Sequence, residues 1–238
     1  MRIITLFSLL SLFANATQAQ PVLYRADFIH TVSGKSIVNG EMLVNGARIV
    51  SVGKNIANKP VGTLVVDLKG MQLYPGLIAT TTSLGLTEIN AVRATQDTTE
   101  VGEFTPDVEA WISVNPDSEL IPVTRANGIT HALVVPLGGT ITGTSGLIKL
   151  AGWGVEDMTV VRGVALHLRW PAMGINIRTK ESFDDASKYK PPKEQAKERD
   201  RKIKHIDEFF NEAEAYVKAR ADDDNKPKPS PAWDAMTP

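Results

Sequence analysis

The Pro-Gly pair at Pro75 and Gly76 constrains the fold of this chain most, because it separates two apolar segments. Before the pair, residues 65–68 and 71–73 have the composition of strands, and Gly70 predicts a turn between them. After the pair, Leu77 and Ile78 begin a second apolar run. Proline fixes a backbone angle and glycine permits a sharp change of direction. The pattern predicts that the chain leaves one layer here and begins another.

This stretch resembles the start of the barrel in the amidohydrolase superfamily, in particular its secreted imidazolonepropionase-like and prolidase-like members. In that family, Pro-Gly and two apolar residues lead into an Asp-x-His-x-His motif on the first barrel strand. The matching positions are Asp67, Gly70, Pro75, Gly76, Leu77 and Ile78. The resemblance extends over residues 22–170 and implies an α/β fold, with a (β/α)8 TIM-like barrel preceded by a small β-sandwich. It also implies a divalent metal of the zinc type in the intact family.

Other residue types occupy the metal-binding positions of the family motif. Ala79 stands in place of the Asp, and Thr81 and Ser83 stand in place of the two His. Zinc sites are built from imidazole, thiolate and carboxylate, whereas hydroxyl groups are neutral and weakly basic. We therefore predict no metal site and no other cofactor in this chain, and we treat Thr81 and Ser83 as candidates for substrate contact.

Residues 20–73 resemble part of the β-sandwich that accompanies the barrel. Short apolar segments are separated here by Asn39-Gly40 and Asn45-Gly46. Asn-Gly pairs favour tight hairpin turns because both residues tolerate a positive φ. The segment is therefore predicted to be a β-meander with a turn at each pair.

A polar, acidic stretch at residues 94–116 follows the first predicted barrel strand. In a barrel, the loop after a strand lies over the active-site mouth. A pair of its carboxylates could serve acid–base chemistry or help to hold a metal, and Glu103, between Gly102 and Phe104, is the first candidate. The alternative is a solvated acidic loop. The carboxylates of the stretch are Asp97, Glu100, Glu103 and Asp107.

A helix over residues 118–127 and a buried strand over 128–136 are predicted next, as one repeat of an α/β fold. Residues 138–146 contain four glycines and are predicted to form a loop. Backbone N–H groups in such a loop can face an anion or an oxyanion, which makes Thr144 and Ser145 candidates for substrate contact. The alternative is that these glycines only form tight turns.

Residues 74–178 are therefore interpreted as the first part of a barrel, and the rest as appended segments. Residues 179–220 form a charged linker and an amphipathic helix, and 221–238 a proline-rich flexible tail. A complete barrel needs about 250 residues. We therefore expect a complementary chain with the second barrel half, or a truncated chain. The predicted apolar stripe of the helix is Ile203, Ile206, Phe210, Ala213 and Val217.

The first 19 residues have the pattern of a signal peptide. Arg2 precedes an apolar run over residues 3–13, and Ala19 completes a small-x-Ala cleavage site. The run is shorter than the ~20 residues that a membrane span requires. We expect a secreted or periplasmic protein without a membrane span after cleavage. The net charge of -1 provides no basic excess for nucleic acid.

Two functions remain open from the sequence. The resemblance implies a hydrolase that acts on C–N bonds of small-molecule amides, dipeptides or cyclic amides and that is inactive as a single chain. The alternative is a non-catalytic exported protein, either a binding or assembly protein or a truncated pseudoenzyme.

Overall fold

The computed structural model describes residues 20–222 and 226–237, so the predicted signal peptide at residues 1–19 lies outside the described residues. The chain divides into two compact units, of which the first ends at Pro75 and the second begins at Gly76. Within the described ranges, no helix is both long enough and apolar enough to cross a bilayer.

The first unit is a single four-stranded sheet with the strand order β3-β2-β1-β4. The strands are β1 (Val22–Ile29), β2 (Ile37–Asn45), β3 (Arg48–Gly53) and β4 (Leu64–Leu73). β1 pairs with β2 antiparallel and with β4 parallel, and β2 pairs with β3 antiparallel. Its core contains Leu23, Ala26, Ile29 and Leu43. A second sheet facing this one, as the predicted sandwich would need, is not seen among the described residues of the unit.

Two of the three turns predicted in this unit are wrong, and both positions are irregularities within continuous strands. Asn39 has φ 48° inside β2, and Gly70 has φ 79° inside β4. The pairing of β1 with β4 shifts register between Ala26 and Phe28, opposite Gly70, as in a β-bulge. The predicted hairpin at Asn45-Gly46 is confirmed, because β2 and β3 pair antiparallel across it.

The second unit contains a mixed sheet with the order β5-β6-β7-β8. Its strands are β5 (Leu77–Thr82), β6 (Ile129–Val134), β7 (Ile141–Lys149) and β8 (Thr159–Leu168). β5 and β6 pair parallel, which confirms that the chain enters a parallel pair after Pro75. β7 and β8 are antiparallel to their neighbours, so the described sheet is mixed and a TIM barrel is not seen.

Short helices cover the buried face of this sheet. The predicted helix before β6 is confirmed as α1 (Leu120–Ala126), and α2 (Val155–Met158) precedes β8. A 3-10 turn at Ala110–Ser113 contributes Trp111, which is 2% exposed. The core cluster is Leu84, Leu86, Ala110, Trp111, Val114, Ile121, Ala132, Val134, Ile148, Leu150 and Met158.

The predicted C-terminal helix is confirmed as α3 (Pro192–Arg220), but only part of its predicted apolar stripe is buried. Ile206 and Ala213 are buried, whereas Phe210 and Val217 are 41% and 38% exposed. The segment predicted as a flexible tail contains a short helix, α4 (Pro231–Asp234). α4 is bonded to α3 through the Tyr216 hydroxyl, which donates to Asp234 Oδ1 at 2.7 Å.

Candidate functional site

The carboxyl ends of the parallel strands β5 and β6 hold the first pair of predicted site residues. Thr82 pairs with Val134, and the N–H of Val135 donates to the carbonyl of Thr82 at 3.0 Å. Thr81 is exposed and its hydroxyl donates to the carbonyl of Thr80 at 2.7 Å. Ser83 is half-buried in the turn that follows. The strand end therefore presents two hydroxyl groups without a charged neighbour at hydrogen-bond distance in the described chain.

These donors do not fit a divalent metal of the zinc type. Neutral hydroxyl groups are poor zinc ligands, and Thr81 and Ser83 are the residues at the motif positions. Across residues 20–222 and 226–237, no group of three or more His, Cys, Asp or Glu side chains converges as a metal site would require. No step of chemistry at this strand end is therefore assigned to a metal.

Glu103 lies at a second place, beside the amino end of β7. Its backbone carbonyl accepts hydrogen bonds from the N–H groups of Thr140 at 2.7 Å and Ile141 at 3.0 Å. Its side-chain Oε1 accepts one from the Thr140 hydroxyl at 3.0 Å. Although the side chain is exposed, the acidic loop around it is thus fixed to the sheet.

The glycine-rich segment is a loop only at residues 138–140, and the prediction is wrong from Ile141 onward, because Ile141 to Lys149 form the buried strand β7. A Cβ on Gly146 would lie 2.5 Å from the Trp111 ring, and one on Gly143 would collide with the carbonyl of Val108. The glycines therefore allow residues 102–111 to pack closely on the strand, as glycine in a strand often does.

This packing determines where the candidates Thr144 and Ser145 lie. The backbone N–H and the hydroxyl of Thr144 donate to the carbonyl of Val108 at 2.7 and 3.2 Å. Ser145 is completely buried, and its hydroxyl donates to the carbonyl of Ala165 in β8 at 3.3 Å. Both side chains bind the protein's own backbone, and no hydrogen bond in the described chain joins them to Thr81, Ser83 or Glu103.

Three side chains that line a groove with Glu103 were not identified as candidate site residues from the sequence. Arg169 and Trp170 follow β8, and Lys202 lies on α3, and together with Glu103 they line an open groove of about 600 Å³. Arg169 is anchored by its N–H, which donates to the carbonyl of Thr140 at 2.8 Å. Only the tertiary fold brings these distant positions together, so no local motif could have identified them.

A carboxylate of the first unit, Glu41, has a strongly lowered pKa. Glu41 in β2 is 7% exposed. It accepts hydrogen bonds from the N–H of Ile56 at 2.9 Å, from Lys59 at 3.1 Å and from Arg25 at 3.1 Å. The Ile56 N–H, Lys59 and Arg25 lower the pKa of Glu41 to about 2, and burial opposes them. Glu41 thus binds the loop after β3 to the first sheet.

His167 in β8 is half-buried, and its Nε2 is the one buried side-chain polar atom of the described residues that has no hydrogen-bond partner. Burial lowers the pKa of His167, which favours the neutral ring. It faces Gly143 across the β7–β8 pair.

Comparison with known proteins supports the fold but leaves the family open. No protein-family model matches this sequence, and no curated protein matches it significantly. A solved amidohydrolase from Thermotoga maritima MSB8 is similar over 90% of this chain with a TM-score of 0.70 and 20% sequence identity. The chain spans 54% of that amidohydrolase.

Two further solved structures are similar over smaller parts. A prolidase complexed with N-methylphosphonate-L-proline covers 30% of this chain and 17% of its own, with 18% identity and a TM-score of 0.26. An N-acetyl-D-glucosamine-6-phosphate deacetylase from Mycobacterium smegmatis covers 48% of this chain and 32% of its own, with 17% identity and a TM-score of 0.24. These two scores are too low for inference. The described chain thus shares its fold with slightly more than half of one bacterial amidohydrolase.

Proposed function

We propose that this chain is one part of an exported amidohydrolase-type hydrolase that cleaves C–N bonds in small amides, dipeptides or cyclic amides. The observation that carries the proposal is the parallel β5–β6 pair within a fold similar to 54% of a solved amidohydrolase. The signal-like pattern of residues 1–19 supports export. In this proposal Thr81 and Ser83 contact the substrate, and the Thr81 hydroxyl exchanges its hydrogen bond to the carbonyl of Thr80 for one to the substrate.

A complementary chain supplies the remainder of the proposed hydrolase. Apolar side chains on the two edge strands of the second sheet support this arrangement, because Leu77 and Ile78 on β5 are 61% and 55% exposed. On β8, Val160, Val161 and Val164 are also exposed. An edge strand also offers unpaired backbone groups to a partner strand. Any metal ligands of the assembled hydrolase belong to the complementary chain.

Co-purification with the product of the adjacent downstream gene tests this proposal. The isolated chain and the co-purified complex are assayed for amine release from N-acyl amino acids, dipeptides and cyclic dipeptides. We expect a stable complex that hydrolyses at least one class, and no hydrolysis by the isolated chain. A chain that hydrolyses these compounds alone, or a downstream product that neither binds nor confers activity, contradicts the proposal.

The second candidate is a non-catalytic exported assembly protein. The hydroxyl groups of Thr81 and Ser83 at the motif positions, together with the exposed β8, favour it. This candidate predicts the same complex without hydrolysis of any compound in the panel. The activity of the complex therefore separates the two candidates.

A further inference from the structure

We infer that the groove lined by Glu103, Arg169, Trp170 and Lys202 binds a small zwitterion, a short peptide with free amino and carboxyl ends. The groove is open to solvent, and its volume of about 600 Å³ provides space for a molecule of this size. The groove belongs entirely to the second unit of this chain. The inference therefore concerns the isolated chain and does not depend on the proposed hydrolase.

The acidic side of the groove is held in place by its backbone. Thr140 binds both the carbonyl and the Oε1 atom of Glu103. A Cβ on Gly139 would lie 2.6 Å from the carbonyl oxygens of Glu103 and Gly102, so the loop lies directly on the backbone before β7. The carboxylate is thus positioned, while Thr140 is the one hydrogen-bond partner of its side chain in the described chain.

The basic side of the groove comes from two different elements. Arg169 follows β8, and its Nη1 makes a long 3.4 Å contact with the carbonyl of Gly138. Lys202 lies four residues before Ile206 and seven before Phe209, so the three residues share one face of α3. Phe209 stacks on Phe104 with ring centroids 4.7 Å apart, which places this face on the Glu103 loop. Neither cation forms an ion pair within 4.0 Å inside the described ranges.

The charges and the aromatic ring together define the ligand. A guanidinium and an ammonium group match a carboxylate, and the guanidinium can bind both carboxylate oxygens. The Glu103 carboxylate matches an ammonium group. Trp170 is 51% exposed and offers an apolar surface to a side chain. A molecule with an amino group, a carboxylate and an apolar side chain satisfies all three sides of the groove.

Titration calorimetry on the full chain with leucyl-leucine tests the inference. N-acetyl-leucyl-leucine and leucyl-leucinamide serve as probes that lack one charged end. We expect saturable binding of leucyl-leucine with one site per chain, and at least tenfold weaker binding of each blocked probe. Absence of saturable binding of leucyl-leucine up to millimolar concentration overturns the inference.

Variants assign each end of the ligand to its side of the groove. Glu103→Gln retains an acceptor for Thr140 and is expected to weaken leucyl-leucine binding tenfold. This variant is expected to bind leucyl-leucine and N-acetyl-leucyl-leucine with equal affinity. Arg169→Ala is expected to bind leucyl-leucine and leucyl-leucinamide with equal affinity. Lys204→Ala is the matched control, because Lys204 lies on α3, pairs with Glu208 and does not line the groove. Equal weakening by Lys204→Ala and Arg169→Ala contradicts the inference.

Discussion

The neighbouring strands β7 and β8 differ sharply in how the chain covers them. β7 is buried along most of its length, and residues 102–111 pack on its glycines. Six consecutive residues of β8 are exposed, from Val160 to Ala165. A strand covered by its own chain contributes to the stability of the unit. A strand with a long exposed run of apolar residues is where a partner would bury apolar surface.

Substitution of glycine is expected to show the largest difference between the two strands. Gly143→Ala combines φ +110° with a collision at the carbonyl of Val108, and we expect it to destabilise the chain by about 3 kcal/mol. Gly163→Ala in β8 is the matched control, because Gly163 has φ +57° with open space around it, and its expected cost is about 1–2 kcal/mol. Urea unfolding measures both, and equal losses would mean that β7 is not closely covered.

The first sheet offers another covered position at Glu41. Because Glu41→Gln removes the charge that Arg25 and Lys59 bind, we expect a loss of about 1–3 kcal/mol in the free energy of unfolding. Glu103→Gln is the matched control at an exposed carboxylate, with an expected change of about 0.5 kcal/mol or less. Urea unfolding of both variants tests this difference, and a larger loss for Glu103→Gln would reverse the assignment.

Acidification tests the same ion pairs without a substitution, because protonation removes the charge of Glu41 and keeps its side chain. The folded pKa of Glu41, about 2, lies below its ordinary value of 4.5, so ionised Glu41 stabilises the folded state above pH 4.5. This contribution is lost as the pH falls from 4.5 towards 2. We expect the difference in unfolding free energy between the wild type and Glu41→Gln to be constant above pH 5 and to shrink below pH 4.5. A difference that does not change between pH 6 and pH 3 would contradict the assigned ion pairs.

Changes on β8 are expected to have the smallest effect on the isolated chain. The double variant Val160→Thr and Val164→Thr retains side-chain shape, and the two valines are 49% and 45% exposed. We expect a change of about 0.5 kcal/mol or less in unfolding free energy. The same variant is expected to weaken the complex with the downstream gene product at least tenfold. Unchanged affinity would exclude β8 as the contact surface.

The sequence predicted the features whose signals are local. Four features follow from neighbouring residues or from a regular apolar period. They are the boundary between the two units at Pro75-Gly76, the hairpin at Asn45-Gly46, α1 and the long helix α3. The parallel pairing of β5 with β6 followed from the family resemblance. These elements were recovered from their own local patterns, whereas the Asn39-Gly40 pair, which has the same local signal as Asn45-Gly46, lies inside β2.

The sequence failed where the role of a glycine depends on distant residues. Gly143 and Gly146 indicated a loop, but they face Val108 and Trp111, and this contact is invisible in the local sequence. Gly70 indicated a turn, but it lies at a bulge in a continuous strand. In the candidate site, Glu103 had a local signal, whereas Arg169 and Lys202 reach the groove only through the tertiary fold.

Amide hydrogen exchange of β7 and β8 tests the central claim most directly, in the isolated chain and in the complex with the downstream gene product. The claim is that the chain covers β7 itself, while the exposed β8 is the surface proposed to bind a partner. We predict slow exchange in β7 in both samples, and at least tenfold slower exchange of the β8 amides in the complex than in the isolated chain. Exchange in β8 that is equally fast in both samples, although the complex has formed, would contradict the claim.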